Sequence, residues 1–104
     1  IQDLLREQIA NRVFPVHRLD KGTCGILVFA LNSEVAAVFQ KAFFSREVKK
    51  TYWALVAGEA PRNGKITVPL SGNKDKIKKP AVSQFHRAKL GRVGEETLSL
   101  LEVW

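Results

Sequence analysis

The sequence predicts an α+β domain: a mixed, mainly antiparallel β-sheet with packed helices. Three observations carry that expectation. Apolar residues recur at helical spacing in two stretches, shorter segments rich in β-branched and aromatic residues read as strands, and Gly, Pro and Asn punctuate the boundaries between them. One domain over residues 1–104 is expected, because 104 residues suffice for a single hydrophobic core and little more. Hydrophobic residues at 45% and charged residues at 26% fall in the ordinary globular range, which argues against a disordered chain.

The elements follow in order. Residues 2–12, QDLLREQIANR, set Leu4, Leu5, Ile9 and, just beyond, Val13 at helical spacing, with Asp3 and Arg12 placed to suit the helix dipole. Pro15 disfavours helix at Phe14 and forces an extended path onward. GILVFAL, from Gly25, is a continuous apolar run, predicted as a strand buried on both faces at the centre of the sheet. A helix is predicted over 33–45, capped by Asn32 or Ser33 and packing Val35, Val38, Phe39, Ala42 and Phe43 on the sheet. KKTYWALVAG, from Lys49, is a second strand ended by Gly58, and KITVPL, from Lys65, a shorter one with Pro69 suiting an edge. SGNKDKIKKP, residues 71–80, carries four lysines and no core residue pattern, as expected of a mobile cationic loop. AVSQFHRAKL and TLSLLEVW then form a hairpin through GRVGEE, its turn resting on Gly91 and Gly94.

Seventeen Lys and Arg against ten Asp and Glu give a net charge of +7, which favours a polyanionic partner through attraction and counterion release. Basic composition for solubility alone is the competing explanation. No apolar stretch approaches the roughly 20 residues needed to span a bilayer, so no membrane partner is expected. A lone cysteine, Cys24, forms no internal disulfide, and no charged-then-apolar leader precedes it, so the cytoplasm is the expected compartment. Two distant histidines and one cysteine fall short of a metal site, and GRVGEE lacks the Lys and Ser/Thr of a phosphate-binding loop. No metal and no cofactor are therefore expected.

The chemistry concentrates in HRLDKGTCG, residues 17–25. Asp20 is a carboxylate with cationic Arg18 two residues away and Lys21 adjacent, available as nucleophile, base or charge partner. Gly22 and Gly25 permit backbone geometry that other residues resist, and Thr23 can bond neighbouring backbone. Such a loop is a platform for a reactive side chain. It is equally a place where Arg18 and Asp20 form a local ion pair that merely pins the chain.

HRLDKGTCGILVFA resembles the signature of the RluA-type pseudouridine synthases, H-R-L-D-x-x-T-S-G-L-L-x-x-A. KKTYWALVAG is similar to that family's second motif, K-x-Y-x-A-L-V-x-G, and GKITVPL to its G-x-I-x-x-P-L segment. The likeness runs in register from residue 4 to about residue 88, and REQIANRVFPVHRLD, REVKKTYWALV and KKPAVSQFHR are closer to the tRNA-modifying members than to the ribosomal-RNA members. Cys24 stands where the family usually has Ser, a small isostere that keeps packing while weakening one hydrogen bond. The family's third motif, G-R-x-H-Q-[IL]-R, and its first strand with N-K-P are absent from this chain, which is expected to be a piece of a longer protein, inactive by itself.

The resemblance implies part of the pseudouridine synthase catalytic-domain fold and an enzyme that isomerises a specific uridine to pseudouridine, in the T stem of tRNA or else in rRNA. It assigns catalysis to Asp20 and places Tyr52 against the uracil. A core aromatic is the other reading of Tyr52, and Trp53 beside it should face the opposite way as a structural residue. Arg18 is expected to stack in the gap left by an extruded base. His17 either orients that arginine, touches phosphate, or is an ordinary satisfied histidine. Thr23, Lys21, Lys49 and Lys50, with Lys74, Lys76, Lys78 and Lys79, complete the expected RNA-binding surface. A monomer is expected. The alternative function is a basic RNA-binding module that keeps this fold without catalysis; a third, a protein-interaction domain, predicts no strong salt dependence of RNA affinity.

Overall fold

The computed structural model describes residues 1–72 and 77–104. The chain forms two compact units, Ile1–Val48 and Lys49–Trp104.

The first unit begins with helix α1, Gln2–Ile9, which has Asp3 in its first turn. It ends earlier than the apolar spacing predicted, because Ala10 turns into the left-handed region at φ 50°. Val13, expected on the helix stripe, lies past its end and is only 1% exposed, while its carbonyl accepts from Gln2 Nε2 at 2.9 Å. The Arg12 guanidinium sits 5.2 Å from the Phe14 ring centroid, a cation–π contact. Strand β1, Phe14–Pro15, pairs antiparallel with β2, Phe29–Ala30. Helix α2, Ser33–Phe44, follows. Asn32 caps it, its side chain accepting from the Val35 amide at 2.8 Å. Val16, Ala30 and Ala36 are the buried centre, joined by Phe14, Val28 and Phe43, so α2 packs its Ala36–Phe43 side on the short β1–β2 ribbon.

The predicted central strand over GILVFAL is therefore corrected. Only Phe29 and Ala30 pair, and Ile26 is 85% exposed. Apolar, β-branched sequence becomes sheet only where a neighbour offers a ladder. Here the neighbour is two residues long and contains Pro15, which has no amide to donate, and Gly25 at φ 143° turns the chain just upstream.

The second unit is a four-stranded antiparallel sheet of β3 Tyr52–Ala57, β4 Asn63–Ile66, β7 Ser83–Val93 and β8 Glu96–Val103, and the strand order is β3-β8-β7-β4. The β7–β8 hairpin turns on Gly94, at φ 61°, and Glu95. Positive φ at the first of two central residues fits a type II′ turn, and Gly91, expected in the turn, lies within β7 instead. Buried Phe85, Ser99 and Leu101 lie on one side of the sheet, where register sets Tyr52 beside Val103 and Val103 beside Phe85. Ser99 is fully buried, yet its hydroxyl donates to the Gly58 carbonyl at 2.8 Å and accepts from the Ala60 amide at 2.9 Å. The 58–60 bend is thereby bound to the sheet, and the buried Ser99 hydroxyl is satisfied as both donor and acceptor. Strands β5, Leu70–Ser71, and β6, Lys78–Lys79, form a two-rung antiparallel ribbon at the ends of the expected cationic loop. No helix among the described residues is long and apolar enough to cross a membrane.

Candidate active site

The segment after β1 owes its shape to three local devices. Val16 is buried in the first unit's core, which fixes where His17 starts. The His17 ring stacks on Phe43 of α2, centroids 4.9 Å apart at an interplanar angle of 20°. Its Nε2 accepts from the Val28 amide at 2.9 Å, so the ring proton resides on Nδ1. The backbone then turns: the Thr23 amide donates to the Asp20 carbonyl at 3.0 Å, with Gly22 at φ 85°. Positive φ at the third of four residues is what a type II turn requires, which explains glycine there. Lys21 is the residue before it.

Asp20 is therefore the first residue of a tight turn, and its side chain is exposed, as are Arg18, Lys21 and Thr23. Among the described residues the ion pairs are Arg6–Asp3 and Arg87–Glu59. Arg18 and Asp20 form none, so a local ion pair is not what holds this loop. The backbone turn depends on Gly22 and on the Thr23-to-Asp20 hydrogen bond, and the Asp20 carboxylate has no ion-pair partner among the described residues. Cys24 is an exposed free thiol.

In the second unit, Tyr52 opens β3 and is 39% exposed. It shares its sheet face with Val103 and Phe85, whereas Trp53, 63% exposed, takes the opposite face as strand alternation predicts. Lys49 and Lys50 lie three and two residues before Tyr52, and both are exposed. Lys78 and Lys79 are exposed on the β5–β6 ribbon, while Lys74 and Lys76 fall outside the described residues.

The structure thus gathers His17, Arg18, Asp20, Lys21 and Thr23 into one loop of the first unit, and Lys49, Lys50 and Tyr52 onto one segment of the second. Two features escaped sequence reasoning. The apolar helix face that includes Phe43 carries no sign in the sequence that a histidine stacks on it. Phe85 and Gly64 are cross-strand partners, and a Cβ added at Gly64 would overlap the Phe85 ring; the glycine marks a close approach that only the register reveals.

Comparison with known proteins bears on what these residues do. The family model for RNA pseudouridylate synthase matches residues 1–103. The chain is similar to tRNA pseudouridine synthase C of Vibrio vulnificus, 43% identical over 88 residues, covering 85% of this chain and 36% of that protein. It is 39% identical over 103 residues to the Vibrio parahaemolyticus protein of the same name, covering 99% of this chain and 42% of that one. Among solved structures, human RNA pseudouridylate synthase domain containing 1 superposes with a TM-score of 0.83 at 23% identity, covering 98% of this chain and 48% of that chain. The chain spans less than half the length of each of these relatives. Because the family match takes in all but the last residue, the Asp20 turn and Tyr52 included, the chain belongs to the RNA pseudouridylate synthase family.

Proposed function

We propose that this chain supplies the catalytic aspartate and tyrosine of an RNA pseudouridine synthase that acts on tRNA, at a T-stem uridine of the position-65 type. The observation that carries the reading is Asp20: a carboxylate held at the start of a glycine-dependent turn, exposed, and free of any ion pair among the described residues. The relatives' shared name supports tRNA as the substrate. The enzyme works as a cytoplasmic monomer on this reading.

The reaction is an isomerisation. The C1′–N1 glycosidic bond breaks, the uracil turns, and a C1′–C5 bond forms. The C5 proton leaves and N1 takes one up, so atoms balance without a redox partner or an energy source. A carboxylate suits this chemistry in three ways: attack at C1′, removal of a sugar proton, or stabilisation of positive charge on the ribose. Asp20 has that duty. Tyr52 stacks on the base and manages the C5 proton. The target uridine has to leave its helix first, and Arg18, a planar cation, props the gap while Lys21, Thr23, Lys49 and Lys50 hold backbone phosphates.

The test uses the full-length protein with a tRNA transcript and an rRNA transcript, reading pseudouridine by carbodiimide labelling. Conversion of one T-stem uridine in tRNA, abolished when that uridine is replaced by cytidine, is the expected result. Tight tRNA binding without conversion would turn the reading into that of an RNA-binding module, and conversion confined to rRNA would overturn the choice of substrate.

A further inference from the structure

We propose that His17 is a positioning residue that holds the Asp20 turn, and that it does not contact RNA. The inference rests on the assignment of Asp20 above. The imidazole is occupied on two sides: one ring face lies on Phe43, and Nε2 accepts the Val28 amide. That amide lies one residue before β2, outside the β1–β2 ladder, and a half-buried backbone N–H without an acceptor is costly. The histidine takes the place of a missing strand. One side chain thus ties the loop's first residue to the segment entering β2 and to helix α2.

Asp20 follows three residues later, within about 10 Å of extended chain. The Thr23-to-Asp20 hydrogen bond and Gly22 shape the turn itself but attach it to nothing else. With buried Val16 fixing the chain just before it, His17 supplies the side-chain attachment nearest the turn. A loop shifted by 1 Å still binds RNA through its cations, but its carboxylate meets the sugar in the wrong geometry, and losses of about a hundredfold follow from displacements of that size. The role predicts a defect in turnover with affinity intact.

His17→Phe keeps an aromatic ring on Phe43 and removes the acceptor, whereas His17→Gln returns an acceptor oxygen near the position of Nε2. In the full-length protein with tRNA transcript, kcat for pseudouridine formation is expected to fall by about tenfold or more in His17→Phe and to recover in large part in His17→Gln. RNA Kd, and its slope against salt, stay within about twofold of the unsubstituted protein. Amide hydrogen exchange gives a readout independent of turnover: Val28 and Thr23 both lose protection in His17→Phe.

A weakened Kd with the salt slope reduced by about one would make His17 a phosphate contact and overturn the proposal. So would unchanged kcat with lowered thermal stability alone, or an unchanged exchange rate at Thr23. Failure of the underlying assignment looks different: Asp20→Asn would then turn over normally, whatever the His17 variants do.

Discussion

Gly64 lacks a side chain because Phe85 occupies the space. The two are register partners on β4 and β7, and an added methyl would overlap the phenyl ring. A flat aromatic laid across a cross-strand glycine recovers packing that the glycine itself cannot provide. Gly64→Ala is expected to cost about 1–3 kcal/mol, the range for overpacking a tight contact, as measured by urea unfolding; an unchanged midpoint would mean that Phe85 moves aside freely. This contact was not legible in the sequence, where Gly64 looked like part of a turn-and-strand motif. The Asp20 turn was more so. Gly22 signalled unusual backbone geometry, and positive φ is what the structure assigns it. The histidine's role was less visible, because its partners lie 11 and 26 residues away along the chain.

Helix α2 starts at the Asn cap that its sequence predicts, a local signal that survives without knowledge of the fold. Its predicted packing face does not survive whole: Ala42 and Phe43 are half-buried, but Val35, Val38 and Phe39 are exposed and Ala36 is the buried residue, because the short β1–β2 ribbon covers only that side. Its C-terminus is another matter. The Glu47 amide bonds the Ala42 carbonyl at 3.0 Å and the Arg46 amide the Phe43 carbonyl at 3.3 Å, a Schellman arrangement. The left-handed residue it needs is Arg46, at φ 60°, where glycine is usual. Arg46→Gly is therefore expected to stabilise the fold by about 1 kcal/mol, the cost of placing a Cβ in that region, read as a higher Tm. A lower Tm would show that the arginine side chain makes a compensating contact. The GILVFAL run shows the opposite limit of local reasoning: its residues favour strand, but only Phe29 and Ala30 find a partner, and partnership is a property of distant segments.

At the scale of the whole molecule, the most informative text was the motif rather than the composition. A charge of +7 fits RNA without specifying it, whereas HRLD and K-x-Y-x-A-L-V-x-G pointed to one family, and the match over residues 1–103 places the chain there. The organisation into Ile1–Val48 and Lys49–Trp104 was not legible, because it depends on which segments pack together rather than on any boundary in composition. What the units contribute differs: the first carries the exposed Asp20 turn and the second the tyrosine-bearing sheet face. The decisive measurement is single-turnover conversion of a tRNA transcript by excess full-length protein carrying Asp20→Asn, with filter binding run in parallel. The account predicts binding close to that of the unsubstituted protein and no detectable pseudouridine; conversion by the asparagine variant at the unsubstituted rate would contradict it.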